Sequence, residues 1–297
     1  MPRTILRPGG AVSFEGTLPE MAEASPLTEL ADGVYVWLTP NPGSGRANAG
    51  VILDDDGITV VDTLMVRSQW EPFSNAVRSF GLPVRRVIVT SARIDFVGGT
   101  RSFPHAALFA SPQASDTLDQ PMPVDAYRAF MPEFDEELID LGEFGTRPIT
   151  HLVTDPASLS ARVEVVPASG HTNGDVMVIV EDADVLFAGG ICSFGVTPLG
   201  FQSDFTTWQG VLSTLPDLAE TIVPGHGKVG RAAAIEDLRA YLRACVDADG
   251  DPSRVPAGPW DAWSDRRLDV VNVERAALQA RGDDTMPPSM LRLIGLA

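Results

Sequence analysis

Hydrophobic positions along this chain alternate with period two, switch to the 3.6-residue period of a helix, and then repeat that order. Val34-Tyr35-Val36-Trp37 reads as a strand. Ala49-Gly50-Val51-Ile52-Leu53 and Ile58-Thr59-Val60-Val61-Asp62 read as two more, joined through Asp54-Asp55-Asp56-Gly57, whose Asp-Gly step is a hairpin-turn signal. Residues 67–80 place Trp70, Phe73, Val77 and Phe80 on one side of a helix, and that helix leads to the apolar run Val87-Ile88-Val89. The second half repeats the grammar, with strands at 163–165, 176–180 and 185–187, a helix over about 204–215 and a short strand at 221–223. Strands then helix, twice over, predict an α/β fold of two layered halves.

Residues 112–160, between the halves, are rich in Pro, Asp and Glu and carry Met122, Phe130, Met131 and Phe134. An insertion of that length usually covers a site. Residues 1–27 have weak periodicity and read as an amino-terminal extension, 28–232 as the domain, and 233–297 as a carboxy-terminal helical extension. Helices near 231–247 and 268–281, separated by a Pro/Gly/Asp-rich linker, are expected to brace the same domain or a second copy in a homodimer.

Composition narrows the partners. The 297 residues are 44% hydrophobic, enough to bury a large core, and the formal net charge is -18. Proteins that hold phosphate backbones do so with Lys and Arg, so nucleic acid is not an expected partner. The two cysteines, Cys192 and Cys245, form no C-x-x-C pair and suggest neither a disulfide framework nor a cysteine-only zinc site, as suits a reducing cytoplasm. Pro8 interrupts the basic amino terminus before any signal-peptide-like apolar run, and no stretch approaches membrane-spanning length. A soluble, cytoplasmic protein acting on a small molecule, with no membrane partner, is the expectation.

Two fragments carry the chemistry. Thr90-Ser91-Ala92-Arg93-Ile94-Asp95-Phe96-Val97-Gly98-Gly99 and Gly170-His171-Thr172-Asn173-Gly174-Asp175 resemble the metal-binding signatures of the metallo-β-lactamase superfamily, whose first motif reads T-H-x-H-x-D-H-x-G-G. Asn48-Ala49-Gly50-Val51-Ile52 and Val60-Val61-Asp62-Thr63 resemble its opening hairpin, Pro167-Ala168-Ser169-Gly170-His171-Thr172 its P-x-P-G-H-T turn, and Val223-Pro224-Gly225-His226-Gly227 its last turn. The resemblance covers roughly residues 28–230 and implies a four-layer αββα sandwich, two sheets face to face with helices outside.

Carried over position by position, the resemblance implies one metal held at 91, 93 and 171 and another at 95, 96 and 226, bridged from 190. Only Asp95, His171 and His226 keep ligand side chains here, while Ser91, Arg93, Phe96 and Gly190 replace the rest. A zinc site wants at least three converging donors. The three survivors belong to two different metals, and Arg93 adds a permanent cation that opposes a divalent ion. No cofactor is therefore expected, and zinc is disfavoured.

His171, His226, Asp95 and Arg93 then read as an acid/base and anion-binding set, with His171 expected as the proton carrier and His226 as a positioning group. Arg93 is either a salt-bridge replacement for the lost metal charge, the plainer reading, or a fork for a carboxylate. Ser91, Phe96, Phe194 and Cys192 are candidate substrate-binding residues, with Phe201 adding apolar lining; for Cys192 an inert core thiol is the plainer reading. His105 and His151 read as surface or satisfied histidines. These residues suit a metal-independent enzyme that acts by acid/base chemistry on a small acyl, ester, thioester or carbonyl compound. Loss of four ligand positions suits a non-catalytic binding protein instead, and a mononuclear metallohydrolase using Asp95, His171 and His226 is the third reading.

Overall fold

The computed structural model describes residues 27–139 and 146–297, so the amino-terminal extension, apart from Leu27, lies outside the described residues. Seven strands form the first sheet: β1 (Leu27–Ala31), β2 (Val34–Trp37), β3 (Ala49–Asp54), β4 (Gly57–Val61), β5 (Val84–Ile88), β6 (Ala107–Ala110) and β7 (His151–Leu152), ordered as they occur in the chain. β1 to β4 are an antiparallel meander, and β5, β6 and β7 add in parallel. The second sheet contains β8 (Ala157–Ser158), β9 (Glu164–Ala168), β10 (Asp175–Val180), β11 (Val185–Phe194) and β12 (Thr221–Gly227), in the spatial order β12-β11-β10-β9-β8. β12 is parallel to β11, because a helical crossover joins them; the other pairs are antiparallel.

The helices are α1 (Arg67–Ser79), α2 (Ile94–Val97), α3 (Pro112–Leu118), α4 (Val124–Phe130), α5 (Asp135–Ile139), α6 (Phe205–Thr214), α7 (Ala232–Asp247), α8 (Asp269–Ala280) and α9 (Pro288–Leu293). Period-two patterning sends alternate side chains to opposite faces of each strand. Val34 and Val36 of β2, Ile52 of β3, Val61 of β4 and Ile88 of β5 meet Val176, Val178 and Val180 of β10 and Phe187 of β11 between the sheets. On the other face of the first sheet, Val51, Val60, Val87 and Leu108 pack on Phe73 and Val77 of α1. On the far face of the second, Met177, Ile179, Leu186 and Ile222 pack on Trp208 and Leu212 of α6, Leu238 and Leu242 of α7 and Val273 of α8. The result is helix, sheet, sheet, helix, the αββα sandwich implied by the motifs.

Two extra groups of elements sit over one end. The insertion supplies α3, α4 and α5, and the carboxy-terminal segment supplies α8 and α9. Their apolar residues Phe130, Met131, Phe134, Leu268, Val271 and Met290 form a separate cluster with Met65, Val66 and Ile94. The insertion expected to cover a site and the carboxy-terminal helices thus close over the same place. Among the described residues, no helix is long and apolar enough to cross a membrane.

Candidate active site

The segment after β5, the turn between β9 and β10, the middle of β11 and the end of β12 line one cavity of about 620 Å³, roofed by residues of α3, α4 and α9 together with Leu268 and Met286. Asp62, which follows β4 with φ of 59°, accepts hydrogen bonds from Thr90 N at 2.8 Å and Thr90 Oγ1 at 2.7 Å. A short polar residue tolerates this left-handed conformation. Burial holds the Asp62 carboxyl well above the usual range, and the hydrogen bonds from Thr90 oppose that rise. Thr90 O in turn accepts from Val176 N, so the loop carrying Ser91, Arg93, Asp95 and Phe96 is pinned to both sheets.

His226 is positioned from below by Asn48, whose Nδ2 donates to Pro224 O at 3.0 Å and to Gly227 O at 2.8 Å, bracketing the histidine. Its Nε2 lies 2.8 Å from Asp95 Oδ2. Phe96 packs edge-on against the His226 ring, with centroids 5.5 Å apart. Burial raises the Asp95 pKa, but the His226 hydrogen bond and the charges of His226 and Arg93 outweigh it and leave the carboxyl below its ordinary value.

His171 has a different partner. Its Nδ1 lies 3.3 Å from Asp175 Oδ1, and Asp175 is fastened by Thr172 N at 2.7 Å and Thr172 Oγ1 at 2.9 Å. The ring packs against Trp208 at 5.4 Å between centroids, and Ser203 Oγ donates to His171 O at 2.8 Å. Gly170 enters this turn at φ of 121°, where a Cβ would meet the Trp208 backbone at 2.4 Å, so only glycine fits. Burial lowers the His171 pKa below the ordinary histidine value, against the raising influence of Asp175.

Gly190 explains where the His171 ring has gone. A Cβ at this position would stand 2.4 Å from His171 Nδ1. The imidazole leans over β11 at the point where a side chain would otherwise rise.

Arg93 Nη2 donates to Leu199 O at 3.1 Å, and the guanidinium stacks over Phe201 with its carbon 4.4 Å from the ring centroid. Among the described residues no carboxylate lies within ion-pair distance of it, and its Nε is buried without a partner. The salt-bridge reading of Arg93 is therefore corrected. Asp95, the nearest acidic residue in sequence, directs Oδ2 to His226 instead.

The profile of the metallo-beta-lactamase superfamily matches residues 42–226. The chain belongs to that superfamily. Similar solved structures include a metallo-β-lactamase from Erythrobacter litoralis with β-mercaptoethanol in its active site, 19% identical, with 72% of this chain and 93% of that one covered at a TM-score of 0.54. The metallo-β-lactamase FIM-1 from Pseudomonas aeruginosa, in a mono-zinc form, is 18% identical over 71% of this chain and 91% of its own, with a TM-score of 0.54. A double mutant of the sec-alkyl sulfatase PisA1 is 16% identical over 86% of this chain, with a TM-score of 0.65; the chain spans 50% of that protein's length. At these identities the likeness is one of fold. Among curated proteins none matches the chain.

The superfamily's metal positions can now be tested against the donors present. Among the described residues, no three His, Cys, Asp or Glu side chains group closely enough to hold a metal ion. Asp95 and His226 meet each other, and His171 meets Asp175, so the surviving donors pair off rather than converge. The residues present do not fit the superfamily's zinc, and the mononuclear set of Asp95, His171 and His226 is not assembled.

Of the residues expected from sequence, Ser91, Arg93, Asp95, Phe96, His171, His226 and Phe201 all line the cavity. Cys192 and Phe194 do not. β11 keeps its alternation through the irregular stretch between Gly189 and Ser193, so Cys192 and Phe194 face the helices with Leu186 and Ala188, in the cluster with Trp208 and Leu238, while Ser193 faces the cavity. Burial pushes the Cys192 thiol far up, so it is an inert core group. His105 is exposed, and His151 stacks on Phe109 at 4.7 Å. Asp175, Ser193, Thr197 and Tyr127 were not expected at the site. Only Asp175 had a readable signal, an acid four residues after a motif histidine and immediately before the apolar run Val176–Val180.

Proposed function

We propose that this protein is a metal-independent enzyme that moves protons on a small organic substrate, an acyl, ester, thioester or other carbonyl compound, held in the cavity. The observation that supports this reading is the Asp95–His226 pair, bonded at 2.8 Å and facing a cavity of about 620 Å³. Cavities of this size suit drug-sized organic molecules. A hydrogen-bonded acid and imidazole behave as one proton-holding unit: one proton is shared between His226 Nε2 and Asp95 Oδ2, and a further one is gained or lost at the other ring nitrogen or the other carboxylate oxygen. When the pair takes a proton from a carbon beside a carbonyl, negative charge grows on the carbonyl oxygen. Arg93 supplies a cation in the same cavity wall that stabilises such charge.

His226, rather than His171, is the carrier in this reading. The His226 side chain keeps 18% of its surface exposed against 7% for His171, and His171 is held in its neutral form by burial. Isomerisation, elimination, cyclisation and ester cleavage all fit this proton chemistry.

A non-catalytic binding protein is the second reading, favoured by the pairing-off of the former metal donors around an intact, largely apolar cavity. Thermal-shift screening of carbonyl compounds, followed by turnover assays on every hit with and without a chelator, separates the two. Chelator-resistant turnover that collapses in His226→Ala supports the enzyme. Tight ligands that emerge chemically unchanged from the wild-type protein overturn it in favour of the binding protein.

A further inference from the structure

Among the described residues the cavity wall holds buried polar atoms that no protein group pairs, one on Arg93, whose charge the proton chemistry also uses, and two on hydroxyl residues that it does not. Six buried side-chain polar atoms lack a hydrogen-bond partner among the described residues, and three of them, Ser91 Oγ, Arg93 Nε and Thr197 Oγ1, belong to residues of this one cavity. Ser91 is fully buried and Thr197 is 2% exposed. Buried polar groups without partners are uncommon and costly, so their concentration at one place calls for a bound group that pairs them. Arg93 sharpens the sign of that group. It is a permanent cation that, among the described residues, has no acidic partner and makes a single hydrogen bond, which leaves Nε and Nη1 unengaged. A cation in an apolar wall is stabilised by an anion, and hydroxyls rotate to donate to one.

Much of the remaining wall is apolar, although Gln113 and Asp116 of α3 and Gln120 also reach it. Met122 comes from the insertion, Tyr127 and Phe130 from α4, and Leu268, Met290 and Ile294 from the carboxy-terminal segment. Methionines fit flexible apolar chains because they repack around them.

We propose that the cavity binds an amphiphilic monoanion, with its carboxylate or sulfate head on Arg93, Ser91 and Thr197 and its apolar chain against the methionine- and leucine-containing roof. This names the substrate class of the site and rests on the functional reading above for its position, though not for its chemistry.

The test is calorimetric titration of the full chain with octanoate, octyl sulfate, 1-octanol and octylammonium, in wild type, Arg93→Gln and His226→Asn. One charge-assisted contact predicts that at least one of the two anions binds about 10- to 100-fold more tightly than octanol, with octylammonium weakest. The tighter anion identifies the head group. Arg93→Gln should bring that preference to about one, and His226→Asn should retain it. Octanol binding as tightly as both anions overturns the proposal, as does octylammonium binding most tightly or an undiminished anion preference in Arg93→Gln. If Arg93→Gln does not fold, the wild-type head-group series decides alone. Anion preference without any turnover sinks the enzymatic reading and leaves this one standing; chelator-resistant turnover with no anion preference does the reverse.

Discussion

The cavity contains two histidine–carboxylate pairs of the same composition, and they have been put to different uses. In the first, Asp175 is fastened by Thr172, and His171 is wedged between Gly190 and Trp208, with every polar neighbour committed to the turn. In the second, His226 and Asp95 meet across 131 residues of chain and face the cavity, and the turn is fastened instead through Asn48 to carbonyls on either side of the histidine. The difference teaches what loss of a bridging side chain does. Without a side chain at Gly190 the His171 ring settles over β11 and becomes part of the packing, whereas Phe96 braces the His226 ring by its edge and leaves it accessible.

The sharpest way to break this comparison is catalytic. His226→Ala should reduce turnover of a substrate found by screening about 10²- to 10⁴-fold, the usual cost of losing a general acid or base. His171→Ala, measured on folded protein, should cost at most about tenfold. Equal losses in the two variants would remove the distinction between the pairs.

Stability should show the reverse order. Removing the His171 ring leaves a void against Trp208 and strips a partner from buried Asp175, so His171→Ala should cost roughly 2–4 kcal/mol by denaturant titration. His226→Ala should cost less, roughly 1–2 kcal/mol, because the void opens into an existing cavity where Asp95, which loses its partner but keeps 12% of its side chain exposed, can be hydrated. Gly190→Asp belongs to the first pair: its new side chain collides with the His171 ring, and a loss of roughly 1–3 kcal/mol is expected from the overpacking. Restoring metal ligands therefore requires moving His171, and adding donors at 91, 93, 96 and 190 does not suffice while that ring stays in place.

Acid titration gives a smaller effect. Burial lowers the His171 pKa in the fold, so as pH falls through the ordinary value of about 6.5 the unfolded chain takes up a proton that the fold refuses, and stability declines. The lowered Asp95 pKa acts only below about 4, where the unfolded carboxyl begins to protonate and the stability contributed by its ionised form is lost as pH falls through the folded value. The His171→Gln variant should lose most of the slope between pH 7 and 5.5, and a slope unchanged from wild type would count against the burial argument. The smallest expected effect is that of a chelator: the proposed metal-free site has no ion to lose, so the melting temperature should stay where it is.

The framework was legible because its strands announce themselves. β2, β3, β4 and β10 are alternating or continuously apolar runs with turn residues at their ends, and the observed bounds lie within about two residues of those expected. β11 and β12 run to Phe194 and Gly227, well past 187 and 223, because Gly189-Gly190 and Pro224-Gly225 read as breakers in sequence but here permit the two parallel strands to continue side by side. β1, β6, β7 and β8 carried too little pattern, β8 being two exposed residues held only by pairing to β9. At the site, order along the chain was enough to bring Ser91, Arg93, Asp95, His171 and His226 together. It was not enough to say which histidine meets which carboxylate, because that depends on where the His171 ring falls when position 190 is empty. Cys192 and Phe194 failed because the strand was expected to end at 187; continued to Phe194, its period-two alternation puts both on the helix-facing side with Leu186 and Ala188.

The most direct test of the central claim, that the old metal donors have paired off into a proton-transfer site, is a calorimetric zinc titration of protein purified without chelators, with metal content measured on the same sample. The pairing of Asp95 with His226 and of His171 with Asp175 predicts no stoichiometric metal as purified and no saturable zinc binding at micromolar concentration. One tightly held ion per chain, or zinc binding with one-to-one stoichiometry in that range, would contradict it.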